Sequence, residues 1–202
     1  MKDDKLKLAV MECLRRDCLS CRRCWLGGRD LGEGRSGHVF SNMNAGAEIM
    51  VVGQNPGSDE VLAGEPFVGP SGKWFDQALN EHAGLSRSDL YISNAVKCHT
   101  PENRKPYDKE VVSCEAFLCR EVEVVRPRVV VALGSLAFKQ MTGIGGIMKH
   151  CGEMVFSVRY RVDVLGLLHP SPYNTNKSEF REMIYAGMRS LRKWLDESSS
   201  SG

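Results

Sequence analysis

No apolar run in this sequence approaches the roughly 20 residues that a helix needs to cross a bilayer. The first residues, MKDDK, also lack the apolar stretch of a secretory signal peptide. Both absences argue against a membrane or exported protein, so we expect a cytoplasmic one. With 202 residues, of which 42% are hydrophobic and 26% charged, the chain is long enough for one domain with a sizeable core.

A large excess of charge of one sign is also lacking, because 27 basic residues face 25 acidic ones and the net charge is +2. Basic side chains nevertheless cluster beside the first cysteines and between two later ones. These clusters consist of Arg15, Arg16, Arg22, Arg23 and Arg29, and of Arg104, Lys105 and Lys109. Such patches can bind phosphates even when the overall charge is near balance. Ordinary solvated surface charge explains them equally well.

Several catalytic and cofactor motifs are missing. The sequence has no G-x-S-x-G elbow, no Walker A loop and no G-x-G-x-x-G, so a small-molecule hydrolase of α/β type and a nucleotide cofactor both lack support. We find no internal repeat and no second domain. We therefore predict one domain over residues 1–196 and a disordered serine-rich tail over 197–202.

Apolar segments alternate with helical patterns along the chain. Strands are predicted at 47–53, 91–96 and 128–133, with one or two more in 154–168, and helices at 5–17, 71–83, 108–125, 136–141 and 179–195. Asp108 is predicted to cap its helix. The stretches 18–46, 57–72, 98–106 and 143–152 are predicted loops. This alternation indicates a three-layer α/β/α domain with a mostly parallel sheet of roughly four strands.

Two polar loops each follow an apolar run. The loop GQNPG (53–57) follows IMVV, and the loop HPSPYN (169–174) follows the run that ends at Leu168. In an open parallel sheet, such loops lie at the carboxyl ends of strands, where ligands bind. One loop offers an amide and the other an imidazole, which suits the binding and hydrolysis of a polar substrate.

Eight cysteines in a chain without an export signal favour metal or redox chemistry over disulfides. Cys21 and Cys24 form a C-x2-C pair, and fifteen residues separate Cys98 from Cys114. Four such thiolates can hold zinc or an iron–sulfur cluster, and the spacing is also compatible with no metal. Cys18 and Cys21 form a second C-x2-C pair, so either pair could serve. The remaining three, Cys13, Cys119 and Cys151, are predicted to be small packing residues.

An ordered set of motifs from about residue 18 to 195 resembles the uracil-DNA glycosylase superfamily, most closely its iron–sulfur branch, family 4. The matching segments are CRRCWL (21–26), GQNPGSDE (53–60), GEPFVGPSG (64–72), YISNAVKC (91–98), PENRKP (101–106) with Cys114, RPRVVVALG (126–134) and HPS (169–171). The resemblance implies a DNA repair enzyme that removes uracil. It also implies a structural 4Fe–4S cluster on Cys21, Cys24, Cys98 and Cys114.

An enzyme that acts on a base must flip it out of the duplex and hold it in a slot. The resemblance implies that Phe67 stacks on the base and that Asn94 forms hydrogen bonds with the edge of the base. It also implies that His169 donates a hydrogen bond to O2 as negative charge develops on the departing base. An asparagine amide offers a donor and an acceptor together, as the O4 and N3–H edge of uracil requires, and cytosine does not match it. Outside this context, a core Phe, a turn Asn and a structural His are the ordinary explanations.

The first catalytic motif departs from the family pattern. Gln54 and Asn55 stand where the iron–sulfur branch carries Glu and Ala, and Asn at the second position resembles the mismatch-specific and single-strand-selective branches. Asn55 cannot act as a general base, but its carbonyl can orient a water towards C1′. Gln54 is assigned to base binding. The nearby carboxylates of Asp59 and Glu60 could assist catalysis, but the prediction for each is a solvated loop group.

The resemblance also predicts the contacts with DNA. The minor groove is expected to receive the loop of Ser171, Pro172 and Tyr173, in which Tyr173 would act as a wedge. The DNA phosphates are expected to contact Arg104 and Lys105. Because no lysine takes the place of an amine nucleophile in these motifs, we expect a monofunctional enzyme. It is expected to be monomeric, with no membrane partner and no nucleotide cofactor. The alternative functions are a glycosylase for hypoxanthine or another deaminated base, and a non-catalytic DNA-binding protein that carries a cluster.

Overall fold

The computed structural model describes residues 2–32 and 34–199. Its strands are β1 (Ile49–Gly53), β2 (Leu90–Asn94), β3 (Val129–Leu133), β4 (Met154–Ser157) and β5 (Val162–Leu167). The helices are α1 (Lys2–Leu19), α2 (Ser58–Ala63), α3 (Pro70–Ala83), α4 (Asp108–Val125), α5 (Ser135–Thr142), α6 (Ile147–His150), α7 (Pro172–Thr175) and α8 (Ser178–Ser199). Within these described ranges, no helix combines the length and the hydropathy that crossing a membrane requires.

The strands form one sheet in the order β2-β1-β3-β5-β4, in which only β4 is antiparallel to its neighbour. Every residue of β1, β2 and β3 is buried. Because successive strand residues point to opposite faces, this burial means that both faces of the sheet are covered. The predicted α/β class is confirmed. The sheet has five strands rather than four because 154–168 folds into two paired strands.

Three local predictions are wrong. The stretch 57–72, predicted as a loop, contains α2, and the stretch 143–152 contains α6. Tyr107 rather than Asp108 precedes the first turn of α4, and its backbone N–H donates to the Glu110 carboxylate at 2.7 Å. Helices α2 and α6 are too short for an apolar period to reveal them.

The last helix extends beyond the domain end expected from the sequence. Helix α8 runs to Ser199, so residues 197–199 of the predicted disordered tail are helical. Residues 200–202 lie outside the described part of the chain. A hydrogen bond connects this end of α8 to the segment before β3, because the guanidinium of Arg128 donates to the hydroxyl of Ser198 at 2.7 Å.

Four parallel strands end at the same edge of the sheet. Gly53 is paired in register with Asn94, and Leu133 with Leu167. The loops that follow these strands therefore lie side by side. In doubly wound α/β domains, this edge is where ligands bind.

Candidate active site

A cavity of about 700 Å³ opens at the carboxyl edge of the sheet. The structure brings around it all five residues assigned to catalysis and base binding, namely Gln54, Asn55, Phe67, Asn94 and His169. Three of the predicted DNA contacts, Lys105, Ser171 and Pro172, also line it. The volume lies in the range typical of small-molecule sites.

Asn94 ends β2 and presents a buried amide to the cavity. The residue is only 1% exposed, and neither its Nδ2 nor its Oδ1 has a hydrogen-bond partner among the described residues. Leaving such groups unsatisfied costs about 1–3 kcal/mol each. A ligand that offers both an acceptor and a donor would remove that cost, so Asn94 is suited to recognising a polar edge.

Gly53 allows Asn94 and Phe67 to meet. A Cβ at this position would lie 2.4 Å from Phe67 Cζ and 2.5 Å from Asn94 Oδ1. No real Cβ approaches other heavy atoms this closely, so any side chain here would displace the ring and the amide together. The glycine is therefore required by tertiary packing, which the sequence motif alone does not reveal.

Gly53→Ala is expected to lower the activity by about 10²-fold, because shifts of about 1 Å in a site have effects of that size. Overpacking should also lower the free energy of unfolding by about 1–3 kcal/mol. Gly46→Ala is the matched control, since nothing lies within 4 Å of a Cβ there. Steady-state kinetics and thermal unfolding of both variants provide the measurement. Full activity of Gly53→Ala would contradict the packing argument.

Phe67 is held in a left-handed backbone conformation, with φ of +57°. Such a conformation is strained for a bulky residue and tends to occur at functional sites. The guanidinium of Arg87 donates to Phe67 O at 2.9 Å and also to Pro66 O. A Cβ at Gly72 would lie 1.9 Å from Phe67 O, so a glycine is needed there too. Arg87 was not predicted, because no local pattern connects it with this loop.

His169 follows β5 and faces the ring of Phe67. The centroids of the two rings are 6.2 Å apart. Its carbonyl accepts from Asn174 Nδ2 at 2.7 Å, which fixes the loop. Burial lowers the pKa of His169, and the charge of Glu60 opposes this shift. The imidazole is therefore neutral at neutral pH and can donate one N–H to a ligand.

The amides of Gln54 and Asn55 contact each other directly. Gln54 Nε2 donates to Asn55 Oδ1 at 3.0 Å. Asn55 Nδ2 donates to Pro56 O at 3.0 Å and to Thr100 Oγ1 at 3.3 Å. These bonds fix the Asn55 amide and leave one lone pair on its Oδ1, which can accept from a water. Thr100 is a supporting residue that the sequence did not indicate.

Glu60 is not the solvated loop group that the sequence suggested. Its Oε2 accepts from the backbone N–H of Gly57 at 2.9 Å. Its Oε1 accepts from the N–H groups of Val68 and Gly69 at 3.0 and 2.8 Å. The carboxylate thus connects the start of α2 to the loop that carries Phe67. Asp59 beside it is exposed, as expected.

The predicted DNA contacts lie in different surroundings. Tyr173 is 69% exposed, and its hydroxyl accepts from Lys177 Nζ at 2.9 Å. Arg104 forms two hydrogen bonds with the Glu110 carboxylate, at 2.7 and 2.9 Å, and stacks on Tyr107. Its guanidinium therefore already has a carboxylate partner, whereas the neighbouring Lys105 lines the cavity. The assignment of these side chains to DNA stays a prediction.

The predicted cysteine ligands come from two distant segments that pack together. Cys24, Cys98 and Cys114 belong to one small apolar cluster with Leu26 and Val96. All eight cysteines are free thiols, and no three His, Cys, Asp or Glu side chains in the described ranges lie close enough together to hold a single metal ion.

His38 connects the two cysteine segments. Its Nε2 donates to Cys21 O at 3.1 Å, and its backbone forms an antiparallel bridge with Cys98. Cys18 instead lies fully buried in the main core, where burial raises the pKa of its thiol. Cys24, Cys98 and Cys114 thus share one apolar cluster, and His38 links the backbone of Cys21 to the Cys98 segment.

The cavity at the edge of this parallel α/β domain combines a buried amide, an aromatic ring and an imidazole, an arrangement that is suited to binding a flat polar ring. The profile of the Uracil DNA glycosylase superfamily matches residues 40–192, so the chain belongs to that superfamily.

Individual relatives lie in the type-4 branch. A type-4 uracil-DNA glycosylase of Thermotoga maritima is 37% identical over 196 residues, which cover 92% of this chain and 95% of the relative. One of Sulfurisphaera tokodaii is 36% identical over 191 residues, or 90% and 84% of the two chains. One of Archaeoglobus fulgidus is 44% identical over 122 residues, which span 60% of this chain and only 58% of the relative.

Proposed function

We propose that the chain is a monofunctional uracil-DNA glycosylase that flips uracil out of DNA and hydrolyses its N-glycosidic bond. The observation that carries this proposal is the buried, unpartnered amide of Asn94 in a cavity shared with Phe67 and His169. Uracil presents O4 as an acceptor and N3–H as a donor, which match the Nδ2 and Oδ1 of that amide. The type-4 relatives support the same substrate.

In this proposal, the flipped uracil stacks on Phe67 while Asn94 binds its O4 and N3–H. The C1′–N1 bond breaks with its electron pair moving to the base, where negative charge spreads to O2. The neutral imidazole of His169 donates an N–H to that oxygen, and a positioned donor of this kind contributes about 2.7–4 kcal/mol. Stabilisation of the departing base is therefore the main chemical task of the site.

Water completes the reaction on the sugar. Asn55 Oδ1 accepts a hydrogen bond from a water and directs its oxygen to the oxocarbenium-like C1′. The new C–O bond forms as this water loses a proton to solvent, and the uracil anion takes up a proton on release. An asparagine suffices because a developing cation at C1′ needs an oriented nucleophile rather than a strong base.

The test uses oligonucleotides that contain uracil, hypoxanthine or a mismatched thymine, with alkali treatment after incubation. Strand breaks at uracil only after alkali would support a monofunctional uracil glycosylase. Breaks mainly at hypoxanthine would favour the rival substrate, and binding without breaks would indicate a non-catalytic protein. A covalent complex trapped by borohydride would overturn the monofunctional mechanism.

We further propose that Cys21, Cys24, Cys98 and Cys114 hold a 4Fe–4S cluster. Three of these thiols share one apolar cluster, and His38 ties the backbone of the fourth to the Cys98 segment. Four thiolates from two segments suit an iron–sulfur cluster, whose size exceeds that of a single ion. Cys24 is preferred to Cys18 because it packs beside Cys98 and Cys114. The cluster would supply a structural link between the amino-terminal segment and the 98–114 region.

Cys98→Ser is expected to lower the free energy of unfolding by about 4 kcal/mol or more, because losing a metal site is among the most destabilising changes. Iron content and visible absorbance should fall in parallel with the yield of folded protein. Cys119→Ser, on the same helix as Cys114 but outside the proposed site, is the control. A stable, colourless and fully active Cys98→Ser protein would exclude the structural role.

The DNA partner is proposed to approach across the mouth of the cavity. Lys105, Ser171 and Pro172 line the cavity, and Tyr173 stands exposed beside them. We propose that the enzyme acts as a monomer in the cytoplasm, since one substrate site needs no second subunit. Eight cysteines without a disulfide among them are also typical of a protein in a reducing compartment.

A further inference from the structure

A lysine lies completely buried beneath the turn that follows Asn94. Lys97 is 1% exposed, and its Nζ donates to Ser93 Oγ at 2.6 Å and to the main-chain carbonyl of Asn94 at 2.7 Å. The third contact is an ion pair with the Glu121 carboxylate. An ammonium group has three protons to donate, so every donor of Lys97 is used.

Glu121 completes this network from helix α4. It is 0% exposed, and its Oε1 lies 2.9 Å from the hydroxyl of Tyr91 and 2.8 Å from that of Ser93. The pair therefore joins α4 to the end of β2. Apart from the ion pair itself, these hydrogen bonds all go to residues of β2, the strand that ends in Asn94.

Stability alone does not explain such a pair. Replacing a buried ion pair by apolar residues of similar size is often neutral or stabilising, because the desolvation of two charges is so costly. The contact with Asn94 suggests another role. The amide of Asn94 has no hydrogen-bond partner among the described residues, so its direction depends on its backbone and on packing against Gly53.

The backbone of Asn94 is fixed from both ends of the turn. The N–H groups of Ala95 and Val96 donate to Gly53 O and Gln54 O, each at 2.9 Å. Lys97 holds the carbonyl of Asn94 itself. With the carbonyl fixed in this way, the peptide plane after Asn94 has little freedom to rotate, and the side chain keeps its direction into the cavity.

We propose that Lys97 and Glu121 form a positioning pair that aims the Asn94 amide at the edge of the base. The proposal rests on the proposed recognition of uracil by Asn94. The pair touches no substrate atom, and it acts by holding the main chain of the residue that does. It therefore sets the affinity for uracil rather than the affinity for DNA.

The test compares the wild type with the Lys97→Met/Glu121→Gln double variant. The double change avoids an unpaired buried charge, and glutamine keeps an acceptor for Tyr91 and Ser93. Because Lys97 directly precedes the proposed cluster ligand Cys98, iron content and visible absorbance are compared with the wild type to show that a cluster is retained. Two constants are measured well below the unfolding temperature, namely inhibition by free uracil and affinity for a duplex with an abasic site.

The inhibition constant of free uracil should rise about tenfold or more, because misaligned hydrogen bonds lose about that much affinity. The affinity for the abasic duplex should change less than about twofold. Ser157→Ala is the matched control, since Ser157 lies on β4, at the opposite edge of the sheet, and the change removes its buried hydrogen bond to Met141 O on α5. It should lower the unfolding temperature without altering either constant.

Unchanged inhibition by uracil in the double variant would overturn the proposal, and so would an equal loss of affinity for uracil and for abasic DNA. A change of the same size in Ser157→Ala would show that lower stability is the cause. Failure of the proposed function gives a different pattern, because the wild type itself would then neither excise uracil nor be inhibited by it.

Discussion

Asn94→Ala should lower kcat/KM for uracil excision by about 10³-fold, since sites built around a ligand's hydrogen bonds lose several orders of magnitude when these bonds are absent. The substitution removes both groups that would bind O4 and N3–H. It also removes a buried amide without partners among the described residues, so the free energy of unfolding should be unchanged or higher. Loss of activity with gain of stability is the signature of a residue kept for binding.

Single-turnover kinetics and thermal unfolding together test this prediction. Asn94→Asp keeps the volume and an acceptor but loses the donor to O4, so a large loss in this variant assigns the effect to hydrogen bonding. Asn80→Ala, on the exposed side of α3, is the control and should leave both quantities unchanged. If Asn94→Ala keeps more than about a tenth of the activity, Asn94 does not recognise the base.

His169→Ala should lower kcat by about 10²–10³-fold, the usual effect of removing one donor to developing negative charge. KM should change little, because the charge on O2 develops mainly in the transition state. His169→Asn keeps a donor of shorter reach and should recover part of the loss. Equal effects on KM and kcat would point to ground-state binding instead.

The same residue makes stability depend on pH in a defined direction. Burial lowers the pKa of His169 from its ordinary value of 6.5, so the unfolded chain binds the proton more readily. The wild type should therefore lose stability as the pH falls below about 6.5, relative to His169→Asn, and the two should be parallel at higher pH. Denaturant unfolding of both proteins across this range measures the difference, and parallel curves throughout would contradict the shifted pKa.

The secondary structure was predictable where burial is complete. Strands β1, β2 and β3 are continuous apolar runs because both faces of the sheet are covered. Helix α4 was predicted to its observed end at Val125, although it begins at Asp108, the residue predicted to be its cap. Helix α2 was missed because its six residues include no buried side chain. The Glu60 carboxylate stabilises the start of this helix by accepting a hydrogen bond from the N–H of Gly57. It also accepts from the N–H groups of Val68 and Gly69, which lie eight and nine residues further along the chain.

The sequence by itself determined which residues line the cavity at the edge of the sheet, because an amide, an aromatic ring and an imidazole occur in an ordered set of motifs after apolar strands. Only the tertiary structure decided how they are aimed. Three contacts that orient them join segments distant along the chain. They are the packing of Phe67 and Asn94 against Gly53, the hydrogen bonds from Arg87 to the Phe67 loop, and the ion pair of Lys97 with Glu121. A motif records the residue types that a site needs, whereas their orientation depends on contacts that exist only once the sheet and its helices have packed.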